Sequence, residues 1–309
     1  MNTSPTTEER IWAVFSHLSA LTLGLGILLP IIGWSEQRRK SKYASFQCLQ
    51  ALGYQSLGYT VWLLSYLVVF IGILIVIIVV SFRAEKNGQA FDPFAGSTTV
   101  FMFIVILGFF ALYMLLPMIA AISCALGKDF HYPILGNRLA KYLGYPRVDE
   151  SVWLIEEHED RWVAAMGHIS VIIAVWGLIA PVIAWILEGK RSLFLKFQSI
   201  QTFTYQAFVN ILFVGTGFVY FFGAIAFFAM TGLESSPSQS TPLSIVGLGI
   251  FGLSLLCASL LILIVPLFHI LGQWAGYRIL KGEDYHYPVI GKLVERWIAK
   301  SSITKEKTL

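Results

Sequence analysis

The sequence predicts an all-α integral membrane protein made of two parallel, same-orientation four-helix repeats. Each repeat has a short N-terminal helical hairpin, two long transmembrane helices and a cytosolic amphipathic helix. Three observations predict this. First, 56% of the 309 residues are hydrophobic, only 13% are charged, and mean hydropathy is +0.71; a soluble domain carries about 25% charge. Second, residues 54–82, 98–127, 197–231 and 235–277 hold no charge apart from His269. Each stretch exceeds the roughly 20 residues needed to cross a hydrocarbon core about 30 Å thick, and only helices satisfy their own backbone there without closing a barrel.

Third, the chain repeats itself. Shifted by 151 residues, RIWAVFSHLSALTLGLGILLPIIGW at 10–34 falls on RWVAAMGHISVIIAVWGLIAPVIAW at 161–185, and SFQCLQALGYQ at 45–55 falls on KFQSIQTFTYQ at 196–206. Near the end of each copy stands one phrase, DFHYPILGNRL at 129–139 and DYHYPVIGKLV at 284–294, now shifted by 155. The unit is far longer than a solenoid repeat, and the chain divides into a first membrane repeat at 1–150 and a second at 151–309.

The N-terminus MNTSPTTEER has no basic n-region, so it is not expected to be a cleaved signal. Residues 11–34 could form one span, or GLG at 24–26 and Pro30 could break them into a hairpin. Loop charge discriminates. The loop at 35–43 carries a net +3, the loop at 187–196 a net +2 and the tail from Arg278 a net +3, whereas 83–97 is balanced and 232–243 holds only Glu234. The positive-inside rule puts the basic loops, and with them both termini, in the cytosol. Both copies then share one orientation and each crosses an even number of times. A hairpin of helices at about 8–24 and 27–37 meets that condition; a single span does not. Trp12 and Trp34 suit an aromatic belt in either arrangement.

Two long helices follow. The phrase His131-Tyr132-Pro133, with His286-Tyr287-Pro288 in the second copy, reads as the elbow where the chain leaves helix 4 and lies down on the membrane. ILGNRLAKYL and VIGKLVERWI place apolar residues on one face and Arg138, Lys141, Lys292 and Arg296 on the other, as in an interfacial amphipathic helix. Pro133 and Pro288 suit its first turn.

Candidate functional residues are polar groups in apolar surroundings. Arg10 and His17 lie two helical turns apart on one face, as do Arg161 and His168. The arginines oppose the helix dipole and call for compensation by Glu8, Glu9, Glu159 or Asp160, or by lipid phosphates. The histidines could form a proton relay or a haem-ligand pair, or an interhelical hydrogen bond. Gln47, Gln50 and Tyr54, with Gln198, Gln201 and Tyr205, form a polar stripe on helix 3. It could line a hydrophilic path or bond to backbone exposed at the hairpin break. The paired breaks at Gly26–Pro30 and Gly177–Pro181 are the type of feature that marks a transporter site, though no acidic residue accompanies them. Cys48, Cys124 and Cys257 read as small apolar core residues. No phosphate loop, zinc motif or nucleophile elbow is present, so catalysis, a metal and a cofactor are not expected. A net charge of +4 implies no nucleic-acid partner.

The order ER-x-W-A-x-x-x-H-x-S at 9–19, a Pro-containing second helix ending in Trp and basic residues, F-Q-x-x-Q-A at 46–51, two long helices and YP-x-x-G at 132–136 resembles a bacterial membrane domain. That domain is related to the twenty-kilodalton subunit of the chloroplast inner-envelope import translocon, the Tic-twenty-like family. The second copy departs from the pattern at Val163 and Thr202. The resemblance implies four helices per copy, no catalytic residues and a role near a protein-conducting path. It also implies that the fused pair mimics a dimer about a pseudo-two-fold axis.

The sequence therefore predicts a non-enzymatic, multi-pass protein of the inner or plasma membrane. Its expected partners are the lipid bilayer and other membrane-complex subunits, in the role of an accessory, scaffold or translocation-related component. The alternative is a small-solute transporter or channel with a path between the repeats.

Overall fold

The computed structural model describes residues 4–88, 96–145, 153–232 and 242–306. The boundary between residues 150 and 151 and the middles of the loops at 83–97 and 232–243 lie outside them. Among the described residues the chain forms ten α-helices: α1 (Thr7–Leu18), α2 (Leu28–Gln37), α3 (Lys42–Lys86), α4 (Gly96–Ala125), α5 (Leu135–Leu143), α6 (Glu156–Ile169), α7 (Ile179–Glu188), α8 (Leu193–Gly232), α9 (Pro242–Leu280) and α10 (Ile290–Glu306). Tighter 3₁₀ stretches, Ser19–Ile27 and Ser170–Leu178, join α1 to α2 and α6 to α7. Among the described residues, six helical stretches are long and apolar enough to cross a membrane: Thr7–Gln37, Lys42–Lys86, Val100–Ala125, Glu156–Glu188, Leu193–Thr231 and Pro242–Leu280.

The starts of these helices are written locally. Thr6 accepts from the Glu9 amide while Glu9 accepts from the Thr6 amide at 2.6 Å, a capping box that satisfies two orphan donors. The Ser41 hydroxyl caps α3 at Ala44, and Ser192 caps α8 at Leu195.

The first and fourth apolar stretches are interrupted. Leu23 at φ 56° and Ala174 at φ 50° stand in the left-handed region, a conformation that costs a non-glycine residue about 1–2 kcal/mol. Contacts across the break hold it. The Gln37 amide donates to Glu8 at 3.1 Å, Gly33 lies against Trp12 and Ser16, and Ser170 donates to the Gly177 carbonyl at 3.0 Å. The chain thus turns back on itself in each copy. The reversal falls on Leu23 rather than on GLG, and α1 ends at Leu18, earlier than the spacing predicts. Gly26 and Gly177 serve close approach instead: a Cβ there would stand 2.0 and 2.1 Å from the carbonyl oxygens of Ser19 and Ser170.

Pro133 and Pro288 sit in turns just ahead of α5 and α10, not in their first helical turns. Ile134 at φ 66° makes the first of those turns. The apolar face of α5 rests on protein rather than lipid: Leu139 and Leu143 join a core with Leu154 and Trp162. Cys48 and Cys124 are buried, but Cys257 is exposed on α9, so it is not the core residue expected.

One apolar core runs through both copies, including Ile31, Trp34, Leu49 and Leu52 of the first with Trp162 and Met166 of the second. The copies meet one-sidedly. α3 lies against α6 and α2 against α7, while among the described residues α8 does not pack on α1 as a closed two-fold would require. The arrangement departs from the expected pseudo-dimer at α3–α6, while the contacts of α2 with α7 and of the two 3₁₀ stretches with each other, equivalent elements meeting in pairs, fit it. The long helices also differ between copies. α8 and α9 pack closely, whereas α3 and α4 enclose an apolar cleft of about 370 Å³ lined by Tyr66, Phe70, Ile73, Met102, Val105 and Ile106.

Candidate functional site

Each copy builds the same polar clasp from four places in its sequence. In the first, α1 supplies His17, α3 supplies Gln47, Gln50 and Tyr54, and the turn before α5 supplies Tyr132. His17 and both glutamines are fully buried. His17 Nε2 lies 3.0 Å from Gln47 Oε1 and Nδ1 lies 3.0 Å from the Tyr132 hydroxyl. The Gln50 amide donates to Gln47 Oε1 and to the Phe130 carbonyl, and Gln50 Oε1 accepts from the Tyr132 amide at 2.7 Å. The Gln47 amide donates to the Phe130 carbonyl and to Asp129 at 2.8 Å. Tyr54 stacks on Tyr132 at 4.3 Å and donates to the Tyr113 carbonyl.

The second copy repeats this except for the bond to Asp129, whose equivalent Asp284 pairs with Arg161. His168 lies 3.1 Å from Gln198 and 3.0 Å from the Tyr287 hydroxyl. Gln198 and Gln201 donate to the Tyr285 carbonyl, Gln201 accepts from the Tyr287 amide, and Tyr205 stacks on Tyr287 at 4.0 Å.

Backbone groups fix every orientation in the chain of bonds. Because Gln50 Oε1 accepts from an amide, its nitrogen must donate, so Gln47 Oε1 is an acceptor and receives Nε2–H of His17. Nδ1 then accepts from the tyrosine hydroxyl. The imidazole is held in one tautomer with both nitrogens occupied. Burial pushes the Tyr132 and Tyr287 phenols well above the ordinary value, so both remain protonated donors. The second copy adds a bond: Thr202 donates to the Gln198 carbonyl, so its oxygen accepts from His168 Nε2 at 2.8 Å. Ala51 stands at the equivalent position in the first copy. Gln47→Leu is therefore expected to destabilise more than Gln198→Leu, because His17 loses its Nε2 acceptor while His168 keeps Thr202. Thermal unfolding of the two variants checks this; equal losses would contradict it.

The phrase HYP is thus more than an elbow. Its tyrosine reaches back to the histidine of the N-terminal hairpin, and its histidine lies on the phenylalanine that precedes the glutamines, His131 on Phe46 and His286 on Phe197. His131 pairs with Asp129 and His286 with Glu295. Arg161 bonds to Glu157 and Asp284 rather than to Glu159 or Asp160, and its guanidinium covers Phe194 at 4.9 Å. Arg10 packs at Gly127, beyond the end of α4.

Glu159 and Asp160 serve a cluster that the sequence reading missed. The Arg38 guanidinium, 3% exposed, lies 2.9 Å from Glu159, 2.7 Å from Asp160 and 3.5 Å from Glu188, and covers Trp34 at 4.8 Å. Ser35 donates to Glu188 and Trp34 to Glu159. This cluster joins the repeats. Its signal was a break in the repeat, since Gly189 stands where Arg38 would recur and Gln37 where Glu188 would.

The fold and its two clasps define a polytopic helical membrane protein of duplicated units. The chain belongs to the MamF/MmsF family, the magnetosome magnetite crystal formation protein family, which it matches over residues 8–139 and again over 159–294. No curated protein and no solved structure matches it. The resemblance to the Tic-twenty-like family is thereby corrected: the motifs that carried it lie within the two matched stretches and belong to MamF/MmsF. The family is one of membrane proteins and is not known for enzymes.

Proposed function

We propose that the protein is a non-enzymatic scaffold of the magnetosome membrane that supports magnetite crystal formation. The supporting observation is the closed clasp. The histidines and glutamines that could have lined a solute path bond to one another and to backbone within each repeat. Six apolar stretches and a lipid-facing apolar surface suit a protein whose working partners are the bilayer and other membrane proteins.

In this reading each broken stretch is a hairpin that enters and leaves on the cytosolic side, and both termini are cytosolic. Arg38 at the end of α2 meets Glu159 at the start of α6 and Glu188 at the end of α7, which supports both hairpins opening on one face.

Deletion in a magnetite-forming host, read by electron microscopy, is expected to change the number or size distribution of crystals, with restoration by the wild-type chain. An unchanged distribution would overturn the reading. Purified protein in liposomes is expected to pass no small solute; a flux abolished by Gln50→Leu would establish the transporter alternative.

A further inference from the structure

The long helices pair differently in the two copies, and the difference leaves one apolar site in the first. In the second copy α8 and α9 close on each other. A Cβ on Gly223 would run into the Ser254 hydroxyl, and one on Gly247 would press on Met230. In the first copy Gly72, the equivalent of Gly223, has open space around it, and Ile73 stands where the second copy has Ala224. α3 and α4 are tied at Tyr54, which donates to the Tyr113 carbonyl at 2.7 Å, and again at Tyr66, which donates to the Ile106 carbonyl at 2.6 Å. Beyond Tyr66 they enclose the cleft of about 370 Å³. Trp62 and Phe109 pack on the Tyr66 ring and close the cleft on the side of the clasp. The rest of the lining, including Phe70, Ile73, Met102 and Val105, is apolar.

Size selects the occupant. The cleft follows α3 from Tyr66 to Ile73, about 10 Å or two turns. A helix about 10 Å across takes roughly 400 Å³ for each turn, so a transmembrane helix would need about twice the space. A methylene is close in volume to a water, about 30 Å³ in the liquid, so about a dozen fill the cleft. That is a length of acyl chain. Depth agrees. Residues 66–73 stand at the centre of the uncharged stretch 57–82 and so at the bilayer midplane, where the chains of one leaflet end about 15 Å below their headgroups. With the clasp side closed, a chain enters from the leaflet at the C-terminus of α3. The last turn there carries Arg83 and Lys86, whose long side chains reach headgroup level, and an Arg binds phosphate through paired N–H donors. Residues 197–277 of the second copy hold no basic residue. The basic pair and the open cleft therefore occur together in the first copy.

We propose that the cleft between α3 and α4 is the seat of one phospholipid with an anionic headgroup. One of its acyl chains lies between Tyr66, Phe70, Met102 and Val105, and its phosphate lies at the basic end of α3. The proposal rests on the fold and its place in a bilayer, and not on the proposed function.

The test reconstitutes the full chain in vesicles of phosphatidylethanolamine and phosphatidylglycerol in equal parts, with a trace of phosphatidylglycerol that carries a diazirine at the end of one acyl chain. Irradiation and peptide mass spectrometry are expected to find adducts concentrated on 66–73 and 102–106, several-fold above the lipid-facing surfaces of α8 and α9. Val105→Trp, which fills the cleft, is expected to remove most of this labelling. The double variant Arg83→Gln, Lys86→Gln is expected to lower it several-fold, with labelling of α8 and α9 unchanged in both cases. Phosphatidylcholine carrying the same diazirine is expected to label the cleft several-fold less. Labelling spread evenly over every lipid-facing helix would mean annular lipid only and overturn the proposal. So would equal labelling by the two headgroups. Benzoylphenylalanine at Phe70 that cross-links to another protein in native membranes would make the cleft a helix seat, which also overturns it. The distribution on the unsubstituted chain decides the question whether or not Val105→Trp folds.

Discussion

Arg38→Ala is expected to destabilise the protein by about 3–5 kcal/mol, the range for breaking a buried ion pair by removing one partner. Arg38 is the cation facing three buried carboxylates, Glu159, Asp160 and Glu188. Its removal leaves Glu159 and Asp160 without that cation and Glu188 with Arg191 at 3.4 Å, and Trp34 loses the guanidinium above its ring. The loss should appear as a lower unfolding temperature in detergent and earlier proteolysis between the repeats. Combining Arg38→Ala with Glu159→Gln and Glu188→Gln should recover a large part of it, because uncompensated charge causes most of the penalty. An unchanged unfolding temperature for the single variant, or no recovery in the triple variant, would show that the cluster does not bind the repeats together. Exposed Arg39, paired to exposed Glu156, is the control; its loss should change little.

Gly26→Ala is the second large effect. A methyl group at Gly26 would stand 2.0 Å from the Ser19 carbonyl and 2.7 Å from Gln55 Oε1. The first contact is with backbone, which cannot rotate away. Overpacking a tight site costs about 1–3 kcal/mol, and a clash with backbone puts this site at the upper end, because it forces apart the two arms that position His17. Gly177→Ala should act alike in the second copy, against the Ser170 carbonyl at 2.1 Å. Gly72→Ala and Gly108→Ala, with open space around both sites, should be neutral or slightly stabilising. Unfolding temperatures of the four variants decide the matter; similar values for Gly26→Ala and Gly72→Ala would refute the close-approach account.

Helical class and duplication were legible because apolar length and a constant shift of 151 residues are properties of the string itself. His17, Gln47 and Gln50 were visible as polar residues that an apolar segment has to satisfy, and Tyr132 only as part of the elbow phrase. Their mutual bonding was not, because Tyr132 lies 115 positions beyond His17 and only the fold brings them together. The turn at Leu23 escaped for a local reason: propensity assigns left-handed backbone to glycine, whereas here contacts across the break impose it on leucine. The Arg38 cluster escaped because charge counting treats 35–43 as a solvated loop. The family also was misread, since apolar helices with scattered polar residues look alike across unrelated membrane proteins.

α3 gives the molecule an unusual relation to its solvent. Its 45 residues extend about 67 Å at 1.5 Å per residue, and residues 43–82 carry no charge. Residues 44–56 of it pack within the protein, and the uncharged stretch beyond them, 57–82, extends about 39 Å, still longer than a hydrocarbon core of about 30 Å. The excess has to be met by steep tilt or by local thickening of the membrane, each costing fractions of a kcal/mol per ångström. A helix of that length is accommodated at lower free energy in a thicker bilayer than in a thinner one.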